Sequence, residues 1–239
     1  MPLRIARAAI LPVIFLSCAS MAHAQDASIR QRITQKIDER QMTTLRGNVH
    51  PMAKAEFDHG AAPADLELNR MMLLLKRSPE QEKALQQLME QQQTKGSPNY
   101  QKWLTPAQFG AQFGPSDADI QTVTSWLGSH GFQVTKVTAG KTMIEFSGNA
   151  SQVKGAFHTE IHRFVVNGEE HWANASDPQI PAALTPVVAG VHSLHNFFRK
   201  PLIQKVGYFQ KSKKDGSVTP LFTFNPNGGQ TLNALGPTD

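Results

Sequence analysis

The sequence predicts an α+β fold: a ferredoxin-like, split β-α-β antiparallel sheet with helices on one face, followed by a flexible C-terminal linker. Three observations predict it. Apolar runs of strand length alternate with segments opened by helix-capping residues, and removing insertions leaves strand–helix–strand–strand–helix–strand. The helices each carry a single apolar stripe, which needs a sheet face to cover. After Phe198 the apolar period stops and Lys, Pro and Gly take over, the composition of a linker.

The first 24 residues are excluded from the fold. Arg4 and Arg7 precede the apolar run Ala8 to Ala19, and "AHA" ends at Ala24. This is the pattern of a secretory signal peptide cut between Ala24 and Gln25. Lipid attachment at Cys18 fits poorly, because Phe15 and Leu16 stand before it. Cleavage removes that lone cysteine, so no disulfide is expected, and a secreted or periplasmic location follows. No later stretch approaches the roughly 20 apolar residues of a membrane helix. Residues 25–64 form a polar lead-in, where Ile29, Ile33 and Ile37 have helical spacing and predict a loose or short helix.

"LELNRMMLLLKR", from Leu66, reads as a buried strand. Ser78, Pro79 and Gln81 then form a capping box for a helix with Leu85, Leu88 and Met89 on one stripe, ending at Gly96. Thr105, Pro106 and Gln108 repeat the box for a very short helix ending near Gly110. Tyr100, Trp103, Phe109 and Phe113 around it read mainly as core aromatics. Ser116 caps a third helix, with Asp117 and Asp119 at its positive end and Ile120, Val123 and Leu127 on one face. Gly131 stops it. "FQVTKV" and "TMIEF" read as strands joined by an "AGK" turn. Asn149 and Gln152 open a helix burying Val153 and Phe157. "IHRFVV" and "EEHWA" flank Asn167-Gly168, a hairpin signal. "IPAALTPVVAG" predicts a short helix closed by Gly190, and "VHSLHNF" a last strand.

Chemistry is sparse. In "HTEIH", His158 and His162 are four apart, but Glu160 is misplaced for a zinc helix and the stretch crosses a helix–strand junction. No metal site, cofactor or catalytic residue is therefore assigned. "NAS" at Asn149 and Asn174 matches the glycosylation pattern, although Asn149 reads better as a cap. There is no nucleophile elbow and no phosphate loop. The net charge of +5 is mild, and the basic run Arg199 to Lys214 lacks stacking aromatics beyond Tyr208 and Phe209, so no nucleic-acid partner is expected. Histidine is abundant, and it changes charge between about pH 5 and 8. His158, His162 and His171 are the candidate pH-sensing residues.

The stretch "SPNYQKWLTPAQFGAQFGPSDADIQTVTSWLGSHGFQV" resembles the core of the pro-kumamolisin activation domain, the prosegment of sedolisin-type serine-carboxyl peptidases. The resemblance continues through "TMIEFSGNASQVKGAFHTEIHRFVVNGEEHWAN" and "IPAALTPVVAGVHSLHNF". It places the activation domain at residues 65–198 and the linker at 199–239. Such peptidases carry a Ser, Glu and Asp catalytic set and a calcium site in a separate large domain, and none of these motifs occurs here. The resemblance thus implies no enzyme on its own and no cofactor, with calcium expected only in that catalytic domain. It implies a secreted prosegment that inhibits a sedolisin-type catalytic domain, assists its folding and is released by autoproteolysis, with the partner in cis or in trans. The segment Phe198, Arg199, Lys200 and Pro201 is the candidate to enter the protease cleft. A stand-alone secreted protease-binding module is the alternative.

Overall fold

The four helix starts predicted from capping residues, at Ser78, Thr105, Ser116 and Asn149, are all present as side-chain caps. The computed structural model describes residues 29–198 and 209–220. In chain order these comprise β1 (Met42–Thr44), a 3-10 turn at Ala55–Phe57, β2 (Asp58–Ala61), β3 (Glu67–Leu75), α1 (Pro79–Gln93), α2 (Pro106–Phe113) and α3 (Asp117–Ser129). They continue with β4 (Gln133–Val137), β5 (Met143–Asn149), α4 (Ala150–Phe157), β6 (Ile161–Val166), β7 (Glu169–Asn174) and β8 (Gln179–Pro181). A 3-10 turn at Ala182–Leu184, β9 (Val188–His192), β10 (Phe209–Lys211) and β11 (Val218–Pro220) complete them. Ser78 with Gln81, Thr105 with Gln108 and Asn149 with Gln152 form reciprocal capping boxes, and Ser116 caps α3 by accepting from the Asp119 N–H.

The central sheet has the order β4-β5-β3-β9, with all three pairings antiparallel. β3 and β4 run the same way with β5 between them, which is the split β-α-β arrangement predicted. β2, β6 and β7 form a second antiparallel sheet, and β1 pairs with β8. Asn167 and Gly168 both have positive φ, 53° and 79°, as the tight β6–β7 turn demands.

The core lies between the four-stranded sheet and α3 and α4. From β3 come Leu68, Met71 and Leu73, and from β5 Ile144 and Phe146. α3 gives Val123, Trp126 and Leu127, and α4 gives Val153 and Phe157. Phe157 sits in an aromatic nest, with ring centroids 5.4 Å from Trp126, 5.8 Å from Phe132 and 6.0 Å from Phe146.

Several expectations are corrected. The lead-in is not helical over residues 29–41; it forms no regular element, turns at Asp38–Gln41 and places Ile33 in the core, because the backbone N–H groups of Arg32 and Ile33 find an acceptor on α3. α2 passes through Gly110 and ends at Phe113. Gly110 is no stop signal: a Cβ there would run into the Ala139 carbonyl oxygen of the β4–β5 turn. The helix predicted over 180–190 shrinks to the 3-10 turn, and Gly190 lies within β9, where a Cβ would meet Asn48 Oδ1 at 2.9 Å. The last strand starts three residues earlier than expected and stops at His192, since Ser193 has a φ of 68°. The stripe on α1 is thinly covered, with Met89 exposed and Leu85 and Leu88 half-buried. Trp103 is not core but 69% exposed, whereas Phe113 is buried against Phe109.

Residues 1–196 and 197–239 separate into two units. Within the second, β10 and β11 pair antiparallel, so part of the predicted linker is a hairpin. Its turn is organised by Asp215, which accepts from the N–H and Oγ of Ser217. Hydrogen bonds from Ser212 and Ser217 hold the Asp215 carboxyl down at about 2. The proposed signal peptide, its Ala24–Gln25 cleavage point and most of the predicted linker lie outside the described residues.

Candidate functional site

Alternation along β3 sends Leu68, Met71 and Leu73 into the core and leaves Met72 and Leu74 on the opposite side of the sheet. Register extends that side across three strands. Leu74 lies between Met143 and Gly190, and Met72 between Glu145 and His192. Leu74 is exposed, Met72 and Met143 are half-buried, and Arg70 pairs with Glu145 at 3.4 Å beside them. This face is apolar at its centre and charged at its rim, the composition of a docking surface.

A second feature is a strap formed by the lead-in. Asp119 is fully buried one turn into α3, and its carboxylate accepts from the N–H groups of Arg32 and Ile33 at 2.8–3.1 Å and from Ser116 Oγ at 2.7 Å. The Arg32 guanidinium donates to the carbonyl oxygens of Lys76 and Pro186. Burial lowers the Arg32 pKa, and the Asp119 and Glu80 carboxylates oppose that shift. Further along, Glu39 accepts from Trp126 Nε1 at 3.2 Å and pairs with His130 at 2.7 Å.

The predicted histidines occupy different settings. His158 is the exposed C-cap of α4, in left-handed conformation with a φ of 49°. His162 lies on β6 between two carboxylates, 2.8 Å from Asp58 and 3.4 Å from Glu160. Burial pushes the Asp58 carboxyl up, but the Gly60 N–H and His162 outweigh it and hold Asp58 below the ordinary range. Lys154, then His162, holds Glu160 below its ordinary range. His171 lies on β7, 3.9 Å from Glu169. His158 and His162 do not converge on a shared centre, and among the described residues no three His, Cys, Asp or Glu side chains are arranged to hold a metal ion. Of the proposed cleft segment, Phe198 is 70% exposed, and Arg199, Lys200 and Pro201 lie outside the described residues. Neither NAS asparagine is presented as an acceptor: Asn149 is engaged as a cap, and Asn174 is fully buried and donates to the carbonyls of Asn48 and Ser176.

Sequence reasoning missed the role of Asp119, which it read only as a carboxylate stabilising the positive end of α3, and the grouping of His50, His192 and His195. Asp119 had one legible signal, its place three residues after the Ser116 cap, where a side chain turns back toward the helix start. The histidine grouping had none, since His50 lies far along the chain from His192 and His195.

The family model described as Pro-kumamolisin, activation domain matches residues 56–197, more than half of the chain. Sedolisin of Pseudomonas sp. (strain 101) is 34% identical over 126 residues, covering 53% of this chain and 22% of that protein. Xanthomonalisin of Xanthomonas sp. (strain T-22) is 30% identical over 221 residues, covering 85% of this chain and 26% of that protein. The chain spans about a quarter of the length of these relatives. Among the described residues, no helix is long and apolar enough to cross a membrane.

Proposed function

The chain belongs to the pro-kumamolisin activation domain family, and on that premise we propose that it is a secreted prosegment that inhibits a sedolisin-type serine-carboxyl peptidase and assists its folding. The observation that carries this reading is the partly exposed face of the four-stranded sheet opposite α3 and α4. α3 and α4 cover one side, and Leu74, Met72 and Met143 remain available on the other. A catalytic domain seated there buries that apolar patch and gains a template for its own folding. The segment from Phe198 to Pro201 then follows the body into the substrate cleft, where autoproteolysis releases it. The work is done by surface fit, without a cofactor or a nucleophile in this chain. The reading frame downstream of Asp239 in the gene distinguishes a partner in cis from one in trans.

Acid release has a physical basis in the pairs described. Asp58 and Glu160 lose their charge as the pH falls, and with it their attraction for the His162 ring.

The docking face is tested by Leu74→Lys. A charge at the centre of a desolvated apolar patch is expected to weaken binding to a mature sedolisin-type catalytic domain by about tenfold or more. The thermal unfolding of the chain alone should change little, because Leu74 already meets solvent. Equal affinity of the variant and the parent chain in a surface-binding measurement would rule out this face.

A further inference from the structure

Three histidine rings from two distant stretches of the chain come together beside the end of β9. His50 comes from the loop after β1, His192 ends β9, and His195 follows three residues later. The His50 and His195 ring centroids are 4.5 Å apart at an interplanar angle of 50°, and those of His192 and His195 are 6.1 Å apart at 84°. His171, on β7, is close enough to act on His50 electrostatically. Two carboxylates stand around the group: Glu169 beside His171, and Asp177, which accepts from the N–H groups of Gly47 and Asn48.

Around these rings two segments are joined to the body. In the loop over residues 46–53, Asn48 Oδ1 accepts from the Val191 N–H at 2.9 Å, and the Asn48 carbonyl accepts from Asn174 Nδ2 at 3.1 Å. In the stretch 193–196, the Leu194 carbonyl accepts from the Asn174 N–H at 3.1 Å. Asn196 donates through its N–H to the Trp172 carbonyl and accepts through Oδ1 from the Trp172 N–H. These amide bonds do not titrate, so acid acts on them only through the ionisable groups around them, among which the histidines lie at the junction of the two segments. The second stretch ends at residue 196, where the first unit gives way to the second.

We propose that His50, His192 and His195 form an acid-operated latch, which clasps the 46–53 loop and the 193–196 stretch to the body at neutral pH and loosens both on acidification. Rings this close repel one another when charged. Burial, then His50 and His192, lowers the His195 pKa to about 4. Burial, then His171, lowers that of His50. In the unfolded or unlatched chain, His195 takes up its proton near ~6.5. From that pH down to about 4 the open state therefore binds more protons than the latched one, and latching weakens as the pH falls. Above ~6.5 both states hold a neutral ring and the contribution is constant. His192 also lies beside Met72, at the rim of the docking surface. The latch adds regulation to the function proposed above, and rests on that function only for what acid release accomplishes.

The test uses the chain alone, with no peptidase present, so its failure and failure of the prosegment reading are distinguishable. NMR titration of the histidine ring protons is expected to place His195 well below the free-histidine midpoint. Hydrogen exchange at the Val191 and Asn196 amides, corrected for intrinsic pH dependence, is expected to accelerate about tenfold or more between pH ~6.5 and ~4. The Ile144 amide of β5 should not follow. In His195→Phe, which keeps an aromatic ring but cannot charge, that acceleration is expected to disappear. His195 titrating at the ordinary midpoint, or flat protection at Val191 and Asn196 across the window, overturns the proposal. Both are read on the unaltered chain, whether or not the variant folds.

Discussion

Replacing Asp119 by Ala is expected to detach the lead-in and to destabilise the chain by roughly 3–5 kcal/mol. The Asp119 carboxylate accepts from the N–H groups of Arg32 and Ile33 and from Ser116 Oγ, at a site with no solvent access. Alanine removes the acceptor and leaves those donors buried, and a buried unsatisfied donor costs about 1–3 kcal/mol. The loss also frees Ile33, which is 3% exposed and belongs to the core cluster. Urea unfolding measures the stability, and limited proteolysis within residues 30–41 measures the detachment. Asp119→Asn keeps one oxygen for the two backbone N–H groups, so about half the loss should return. If both variants unfold like the parent chain and resist proteolysis in the strap, the lead-in is not held by this carboxylate.

Phe157→Ala is expected to cost about 3–5 kcal/mol, the range for emptying a buried phenylalanine site. Phe157 is the last residue of α4 and is fully buried. It touches Trp126 of α3 edge-on, Phe132 just before β4, and Phe146 of β5. One side chain thus ties both helices to the inner side of the sheet, which is the arrangement that leaves the outer side partly exposed. Phe157→Leu, closer in volume, should cost less than about 2 kcal/mol. Denaturant midpoints give both numbers, and loss of the near-ultraviolet dichroism of Trp126 reports loosening of the nest. An alanine variant as stable as the parent would mean that the helices are held by contacts elsewhere.

The parts of this fold legible in the sequence are those encoded within a few residues. A cap three positions from its partner, as in Ser78 with Gln81 or Asn149 with Gln152, specifies a helix start locally. Asn167-Gly168 specifies its turn because two successive positive φ angles exclude most other residues. The order of such signals sufficed for the β4-β5-β3-β9 sheet, because a short β4–β5 connection and helical crossovers leave few ways to connect it. What stayed hidden depends on partners far along the chain. Ile29, Ile33 and Ile37 have helical spacing, yet Asp119, 86 residues beyond Ile33, captures the backbone there and no helix forms. Gly190 resembles a helix stop until Asn48 is seen to press against its strand. The same holds for the candidate site. His162 was visible as a titratable residue, but Asp58 reaches it from β2, 104 residues away. The partly exposed sheet face follows from β3 alternation once the covered side is known, while the pairing of His50 with His195 follows from nothing local.

In the function proposed, this chain acts on a peptidase by occupying its surface and breaks no bond itself. Titrating an active, mature sedolisin-type peptidase with the purified chain, at the highest pH where the enzyme still turns over, tests it most directly. The account predicts that activity falls in proportion to added chain up to one equivalent, returns on acidification, and is absent from the chain alone. A peptidase that stays fully active in excess chain, or peptide hydrolysis by the chain without any partner, would contradict it.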